Sequence, residues 1–413
     1  DVCSSDLLVG SGELINRLPE IFSRPGLEII VLGPKNCSLR RSRFINEFIE
    51  LPAVDPLELW QDTAIANYKT ILEQHADWII FCDDETIGAV ARSTIPLEDK
   101  LRLLPAMSKS GLNLLGSKVG LGDAMNRLEL PGPKTITVES PTELSAAIAL
   151  FTDDFLIKGD LFGGGSRVRR FTQSAKASAS GIPADWYPLV VQEFVSGTEV
   201  SIEALFRDGR LVAYLYSEMR ETMGAFGPST ARRYRTPEVK DFEAVLNYLG
   251  ADGGLNGMFN VALIWSPERR AHFLFELDPR ANTWHQFGPH FGIDWVEVML
   301  GKTPLDAVNV APLTPAPDTD EFIRLYPRDL KNALVTKTWS GLKPWITNSQ
   351  GTWSTRNHRD KTINRVETRE VLFWFSGPLI AASAKIWQAI PPKTQRILVK
   401  LGVKRAVIYL VGA

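Results

Sequence analysis

The sequence predicts an α/β region followed by an α+β region, and three observations lead to this fold class. Over residues 6–105, short apolar runs alternate with a helix-like segment, a pattern typical of a parallel sheet with crossover helices. Over residues 156–310, strand-like segments are separated by glycine turns, a pattern typical of an antiparallel sheet. The chain has 413 residues, too many for one ordinary core, so two or three domains are expected.

The N-terminal region contains the predicted strands DLLVG, LEIIVLG and DWIIFC and the predicted helix PLELWQDTAIANYKTILEQH. Gly10 and Gly12 follow the first strand, but Ile15 stands where a dinucleotide-binding fingerprint has its third glycine. We therefore interpret these glycines as a tight structural turn, which leaves a dehydrogenase as the weakest functional alternative. The first residues, DVCSSDL, resemble translated read-through of a sequencing adapter, so Cys3 supports no inference.

The middle of the chain begins with a helix predicted in SPTELSAAIALF. Ser140 and Glu143 have the spacing of a capping box, and Pro141 takes the first helical position. Strand-like segments follow, and the helix-like PEVKDFEAVLNYLG interrupts them. The proline-rich APLTPAPDTD, residues 311–320, is the predicted linker to the C-terminal region.

Composition and charge narrow the class of protein. Apolar residues make up 44% and charged residues 23%, as in ordinary globular proteins. The three cysteines are widely spaced without a CxxC pair, which argues against a disulfide framework or a zinc site and favours a cytoplasmic location.

The C-terminal region is strongly basic. From Arg324 onward, sixteen Lys or Arg residues face four Asp or Glu residues, a net charge of +12, whereas the preceding residues carry −14. Such a region either meets an anionic surface or docks on the acidic body. Its longest uncharged run, residues 371–384, is too short to predict a membrane span, so a buried helix is the preferred interpretation.

The segment FLFELDPRANTW places three charged residues at alternating positions of a predicted strand. Because alternate strand residues share a face, Glu276, Asp278 and Arg280 should lie together. A divalent metal carrying phosphates would satisfy all three, since carboxylates bind the metal and a guanidinium binds phosphate. The alternative is a surface strand end with a local ion pair.

A second segment, FLIKGDLFGGGSRV, places Lys158 on a strand ahead of the glycine loop 163–166. Amides of a glycine loop can cover phosphates, and a lysine supplies positive charge to the same oxygens. The Walker motif GxxxxGK[ST] is absent, and a flexible hairpin with a surface lysine is the alternative.

Taken in order, these pieces resemble the ATP-grasp superfamily over roughly residues 8–300. The matching pieces are Lys118 before a helix, Lys158 before the glycine loop, QEFV at 192–195, Glu199, and ELDPR at 276–280. The segments GMFNV and ELDPRA are most similar to the corresponding segments of carbamoyl-phosphate-synthase-like members. The resemblance implies an ATP-grasp fold with an N-terminal Rossmann-like domain at 8–105, an ATP-grasp domain at 106–312 and a basic C-terminal extension at 321–413. Within the ATP-grasp domain it implies a first lobe with the glycine flap at 106–190 and a second lobe with the metal site at 191–312.

The resemblance also implies a site and a reaction. The ATP-binding residues would be Lys118, Lys158, Gly163, Gly164, Gly165, Ser166, Gln192, Glu193, Phe194, Val195 and Glu199. Glu276 and Asp278 would bind Mg²⁺, with Mn²⁺ as a substitute, and Arg280 and Lys158 would be catalytic. The implied reaction activates a small-molecule carboxylate as an acylphosphate, with ATP converted to ADP, for attack by an amine or ammonia.

Two residues depart from the family pattern. Asp278 replaces the usual asparagine and keeps an oxygen ligand. Ala262 stands where relatives carry a Glu or Gln metal ligand. A catalytically weakened ATP-binding module, peripheral to a membrane through its basic tail, is therefore the alternative function. Carboxylation or carbamoyl phosphate formation is a further enzyme alternative, although the chain has no biotinyl-lysine motif and no glutaminase domain.

Substrate and partner predictions are less specific. Arg220, Arg232 and Arg233 either hold a substrate carboxylate or belong to a solvated loop. His285 and His290 are interpreted as ordinary packed or exposed histidines, with acid–base work as the alternative. A homodimer and contact of the C-terminal region with an anionic membrane surface are further hypotheses.

Overall fold

The structure is a computed structural model, and it describes residues 4–9, 16–35, 37–51, 78–81, 84–160, 165, 167–172, 181–301, 321–336, 338–349, 352, 355–356, 359–369 and 371–372. The chain divides into two compact units, Asp1–Ile323 and Arg324–Ala413. The predicted combination of parallel and antiparallel sheets is confirmed in the first unit.

A four-stranded parallel sheet opens the first unit. Its strands are β1 (Ser4–Val9), β2 (Leu27–Pro34), β3 (Glu47–Leu51) and β4 (Trp78–Phe81), in the order β3-β2-β1-β4. Three of these strands agree with the predicted strands, whereas β3, with the alternating EFIEL, is an addition to them. The predicted helix at 56–75 and the turn at Gly10 and Gly12 lie outside the described residues. The Rossmann-like assignment stays a prediction.

Short helices connect and cover the sheets of this unit. The α-helices are Leu18–Phe22, Asp84–Arg92, Leu97–Leu103, Lys109–Leu114, Lys118–Arg127, Pro141–Ala149, Asp241–Gly253 and Trp295–Met299. The 3₁₀ turns are Ser38–Arg41, Ala184–Trp186, Thr283–Phe287 and Pro289–Phe291.

A four-stranded antiparallel sheet contains the predicted strand that carries Lys158. Its strands are β5 (Thr135–Val138), β6 (Phe155–Gly159), β7 (Val168–Phe171) and β8 (Leu189–Glu193), in the order β5-β8-β6-β7. Helix Pro141–Ala149 packs on it through an apolar core of its own. The helix begins at the predicted proline, but the predicted capping box was wrong. The Ser140 hydroxyl donates to the Glu143 carboxylate instead of accepting an amide N–H.

A six-stranded sheet forms the centre of the unit. Its strands are β9 (Thr198–Arg207), β10 (Arg210–Thr222), β11 (Ser229–Tyr234), β12 (Gly257–Ser266), β13 (Ala271–Asp278) and β14 (Glu321–Arg324), in the order β13-β12-β9-β10-β11-β14. The pairings among β9 to β13 are antiparallel, as predicted. One face is apolar and packs against helix Asp241–Gly253. The opposite face is therefore free to carry polar groups.

The second unit contains helices Arg328–Thr336, Trp339–Thr347 and 361–369. A small core of Tyr326, Leu330, Trp345 and Val371 joins them. The indole N–H of Trp345 donates to the buried Asp329 carboxylate at 2.7 Å. Among the described residues, no helix is long and apolar enough to cross a membrane. Residues 373–413, which include most of the uncharged run, lie outside the described part.

Candidate functional site

Polar side chains collect on the face of the six-stranded sheet that is turned away from helix Asp241–Gly253. Strand β13 pairs Glu276 with Ala262 and Asp278 with Asn260 of β12. On the other side of β12, Ala262 pairs with Ser201 and Asn260 pairs with Glu203 of β9. Residues paired across antiparallel strands project to one face. Both predicted metal ligands therefore share a face, and Ala262 lies directly beside Glu276.

Arg280 joins this face to the parallel-sheet part of the unit. Its Nε donates to Asp84 Oδ1 at 2.7 Å, and its Nη2 donates to Asp278 Oδ2 at 3.1 Å. Asp84 begins the helix that follows β4. No local motif in the sequence marks Asp84, because its partner Arg280 lies 196 positions away.

The carboxyl groups at this end of β13 repel one another. Burial, followed by the charges of Asp84 and Glu276, raises the pKa of Asp278 well above its ordinary value. Burial opposes the charge of Arg280, but Asp278 and Asp84 outweigh it and raise the pKa of the guanidinium. Within the part of the chain that the structure describes, no group of three or more His, Cys, Asp or Glu side chains is arranged to hold a metal ion. Among the described residues, Glu276 and Asp278 thus have no third His, Cys, Asp or Glu arranged with them to hold an ion.

Lys118 begins helix Lys118–Arg127, and its ammonium lies 3.4 Å from Glu276 Oε1. Asp160 fixes this helix start, since its Oδ1 accepts the backbone N–H of Lys118 at 2.7 Å and of Val119 at 3.2 Å. An acidic group at a helix N-terminus satisfies unpaired N–H groups and complements the helix dipole. Because Asp160 follows the strand that carries Lys158, it sets the positions of both lysines relative to each other.

Lys158 is buried on β6 and points toward β13. Its ammonium donates to Gln192 Oε1 at 2.7 Å and lies 4.6 Å from the ring centroid of Phe275. Gln192 Nε2 in turn donates to Thr135 Oγ1 at 2.9 Å, which fixes the amide. Burial lowers the pKa of Lys158 to about 8, although the charge of Glu276 works against this shift.

The predicted nucleotide strand lies at the end of β8. The backbone N–H groups of Glu193 and Phe194 donate to Lys134 O at 2.8 Å and Asp154 O at 3.0 Å. The Val195 N–H donates to no acceptor among the described residues. Glu199 is the second residue of β9 and lies on the polar face, and burial, followed by the charge of Glu276, raises its pKa.

Of the predicted glycine flap, the structure describes Gly165 alone. Its φ is +72°, and a Cβ there would lie 2.1 Å from Phe226 O. A left-handed conformation at such a close approach requires glycine. Gly163, Gly164 and Ser166 lie outside the described residues.

The three predicted substrate arginines do not lie together. Arg232 is buried on the polar face of the sheet, where its Nη1 donates to Glu203 Oε1 at 2.5 Å. Arg233 is the next residue of β11 and pairs across strands with Glu218, so it lies on the opposite face. Arg220 also contacts Glu218, at 3.3 Å. The structure therefore brings Arg232 to the site and leaves Arg220 and Arg233 on the other side of the sheet.

The two histidines after β13 have different surroundings. His285 is fully buried, its Nδ1 accepts the Asn282 N–H at 3.1 Å, and burial lowers its pKa to about 4. His290 is exposed and lies 3.1 Å from Glu321. His285 is thus packed and His290 exposed, in line with the interpretation that each is simply packed or exposed.

Comparison with known proteins identifies the fold. No protein-family model matches the chain. Phosphoribosylamine–glycine ligase of Streptomyces coelicolor is 28% identical over 234 residues, which is 54% of this chain and 51% of the relative. The chain thus spans about half the length of this curated relative.

Two solved structures extend the comparison. The crystal structure of phosphoribosylamine–glycine ligase from Thermotoga maritima matches with a TM-score of 0.53 at 16% identity, covering 77% of this chain and 78% of that one. N5-carboxyaminoimidazole synthetase from Staphylococcus aureus, complexed with ADP, matches with a TM-score of 0.51 at 15% identity, covering 69% and 72%. The predicted resemblance to ATP-grasp proteins is therefore confirmed at the level of the fold.

Proposed function

We propose that this protein is an ATP-dependent ligase that activates a carboxylate as an acylphosphate for attack by an amine or ammonia. The observation that carries the proposal is the convergence at one end of β13. There Lys118 meets Glu276 at 3.4 Å, and Arg280 meets Asp278 at 3.1 Å. The likeness to a ligase that joins phosphoribosylamine to glycine supports the same reaction class. Transfer of a phosphoryl group depends mainly on positioning and charge neutralisation, which such a cluster can supply.

The cationic side chains have separate tasks in this proposal. Lys118 and Lys158 neutralise the phosphates of ATP, because each ammonium is fixed in place by a neighbouring group before ATP arrives. Arg280 clamps the phosphoryl group in transfer, and Asp84 holds its guanidinium in orientation. The glycine flap, including Gly165, closes over the phosphates and excludes water.

The donor set at β13 fits Mg²⁺, with Mn²⁺ as a substitute. Hard divalent cations prefer carboxylate oxygens, and Glu276 and Asp278 supply them from one face. The raised pKa of Asp278 reflects burial first and then repulsion by Asp84 and Glu276, and a cation would relieve this repulsion. A bound metal would neutralise charge on the phosphates during transfer.

The nucleotide base and ribose have candidate partners beside the lysines. The backbone of 192–195 would bind the adenine, with the Val195 N–H as a donor that no described residue uses. The Glu199 carboxylate would accept the ribose hydroxyls. The Gln192 side chain has a different task in this proposal, since it orients Lys158.

Ala262 favours the alternative of a weakened ATP-binding module. A methyl group beside Glu276 supplies no metal ligand, so the two β13 carboxylates must suffice. Retention of Lys118, Lys158 and Arg280 around those carboxylates favours the ligase.

An acid-dependent ADP-release assay tests the proposal. The protein is incubated with Mg·ATP and pooled carboxylic acids, with hydroxylamine in place of the amine. We expect ADP release that depends on an acid, with hydroxamate and phosphate formed in equal amounts, because hydroxylamine displaces phosphate from an acylphosphate. Tight Mg·ATP binding without acid-dependent ADP release would favour the module and contradict the ligase.

The C-terminal unit supports a second, smaller proposal, contact with an anionic membrane surface. Trp339 and Ile346 on one helix are 67% and 66% exposed, and the exposed Lys343 lies between them. Exposed aromatic and basic residues on one helix suit a membrane interface. Flotation of the full chain with phosphatidylserine vesicles, compared with Trp339→Ser, tests this proposal, and equal flotation of both proteins would end it. The homodimer and the cytoplasmic location stay predictions.

A further inference from the structure

A cluster of buried polar side chains lies on the same sheet face as the candidate site, and we call it the Glu203 pocket. Glu203 is completely buried on β9. Its Oε1 accepts from Arg232 Nη1 at 2.5 Å, from Asn260 Nδ2 at 3.3 Å and from Asn282 Nδ2 at 3.4 Å. Its Oε2 is equally buried and accepts no hydrogen bond from any described residue.

Further buried polar atoms without a partner among the described residues lie on β11 and on the turn after β13. Within the described chain, the unpartnered atoms on β11 and on the turn after β13 are Thr230 Oγ1, Tyr234 OH, Thr283 Oγ1, Trp284 Nε1 and His285 Nε2. The Arg232 guanidinium connects Glu203 with the turn after β13, because it donates to Glu203 and lies 4.3 Å from the Trp284 ring centroid. Buried polar side-chain atoms are nearly always hydrogen-bonded, so these five atoms together with Glu203 Oε2 require a polar partner, which a small guest molecule would supply.

The position of the pocket connects it to the proposed chemistry. Glu203 pairs with Asn260, and Asn260 pairs with Asp278. Glu203 thus lies two strands from Asp278, which is about 10 Å at the usual strand spacing. The turn that supplies Asn282 and Trp284 follows Arg280 directly in the chain. A molecule held in the pocket would therefore lie next to the place where an acylphosphate forms.

The charges of the pocket restrict its guest. Glu203 and Arg232 neutralise each other, so a guest with a net charge would remain uncompensated in a buried site. The six unpartnered atoms are one carboxylate oxygen, three hydroxyls, an indole N–H and an imidazole nitrogen, which together can accept and donate. A small neutral or zwitterionic amine satisfies both requirements.

We propose that the Glu203 pocket binds the acceptor amine, ammonia or an amino acid, with an N–H of the guest donated to Glu203 Oε2. This inference rests on the proposed ligase function, since an acceptor exists only if the acid is activated. It assigns to Glu203, Thr230 and Tyr234 a binding role that sequence analysis did not detect.

Two hydroxyl deletions provide the sharpest test. Thr230→Val and Tyr234→Phe remove oxygens that no atom of the described residues uses, so the free energy of unfolding should stay the same or rise. The KM for the amine should rise about fivefold or more in each variant, the magnitude of one lost hydrogen bond. The Kd for Mg·ATP should stay within twofold. Glu218→Gln, a buried glutamate on the opposite face of the same sheet, is the matched control and should change neither constant.

Glu203→Gln adds a stronger perturbation and a check on folding. Loss of the charge leaves Arg232 unpaired, so stability will fall, and the variant is compared at a temperature where circular dichroism shows it folded. The KM for the amine should rise more than tenfold while the Kd for Mg·ATP is kept.

Direct binding separates failure of this inference from failure of the ligase proposal. Calorimetry with ammonium chloride and with a mixture of the standard amino acids is run on the Mg·ATP-loaded protein. Binding that is lost in Thr230→Val and Tyr234→Phe supports the pocket even if the protein shows no turnover. Unchanged amine binding in both variants, a raised KM for the acid instead, or no binding by the wild type would overturn the assignment.

Discussion

The buried ammonium of Lys158 predicts that Mg·ATP binding weakens at alkaline pH. Burial lowers the pKa of Lys158 to about 8, so the free protein loses this charge as the pH rises above 8. Triphosphate oxygens favour the charged ammonium, so the nucleotide-bound form keeps its proton. Above pH 8, binding must therefore take up a proton, and affinity falls.

The magnitude follows from the proton occupancy. At pH 7 nearly all Lys158 side chains are charged, whereas at pH 9 only about one in ten is charged. The Kd for Mg·ATP should rise about tenfold over this interval, which corresponds to ~1.4 kcal/mol. Calorimetry at pH 7.0, 8.0, 9.0 and 9.5 measures the change, and circular dichroism at each pH verifies that the protein stays folded.

Two variants isolate the responsible group. Lys158→Met should bind Mg·ATP more weakly at pH 7 and show no further rise in Kd up to pH 9.5. Gln192→Glu places a carboxylate at the 2.7 Å contact, which favours the ammonium, so the rise in Kd should begin at higher pH. A wild-type Kd that stays constant over this range, or a rise that persists in Lys158→Met, would refute the reasoning.

Three further predictions address the site and the fold. Ala262→Glu adds a carboxylate beside Glu276, so the Mg²⁺ concentration that gives half-maximal ADP release should fall several-fold relative to the control Ala262→Ser. An equal half-maximal Mg²⁺ concentration in the two variants would contradict the placement of the metal beside Glu276. Asp84→Asn removes the charge that holds Arg280, so kcat should fall roughly tenfold with a smaller change in the Kd for Mg·ATP; an unaltered kcat would exclude the positioning role. Gly197→Ala places a Cβ 2.1 Å from a carbonyl oxygen of β12, so the free energy of unfolding measured in urea should fall by about 1–3 kcal/mol. An unchanged free energy of unfolding would mean that the strand shifts to accommodate the Cβ without cost.

Sequence reasoning was most informative where a strand or a motif fixed the geometry. Alternation along β13 sufficed to place Glu276 and Asp278 on one face, and the order of the motifs sufficed for the resemblance to the ATP-grasp fold, although the Rossmann-like assignment stays a prediction. The same rule could have separated Arg232 from Arg233, because neighbouring residues of a strand point to opposite faces. It could also have marked Glu203, which continues the alternation of Glu199 and Ser201 along β9.

Other features depend on contacts that no local pattern contains. Asp84 reaches Arg280 only after the parallel sheet meets the central sheet, across 196 positions of sequence. Asp160 follows the strand of Lys158 and was overlooked, although its partner is the start of the Lys118 helix. The bulge of β10 between Met219 and Thr222 breaks the alternation that would otherwise predict the side on which Arg220 lies.

The most direct test of the central claim is ADP release from Mg·ATP with pooled acids, amino acids and ammonium, compared between the wild type and Glu276→Ala. Glu268→Ala, on the exposed turn between the same two strands, is the matched control. The account predicts ADP release by the wild type and the control that depends on an added acid and is lost in Glu276→Ala. Equal, acid-dependent release by Glu276→Ala would contradict the assignment of the metal site, and absence of acid-dependent release in the wild type would contradict the ligase.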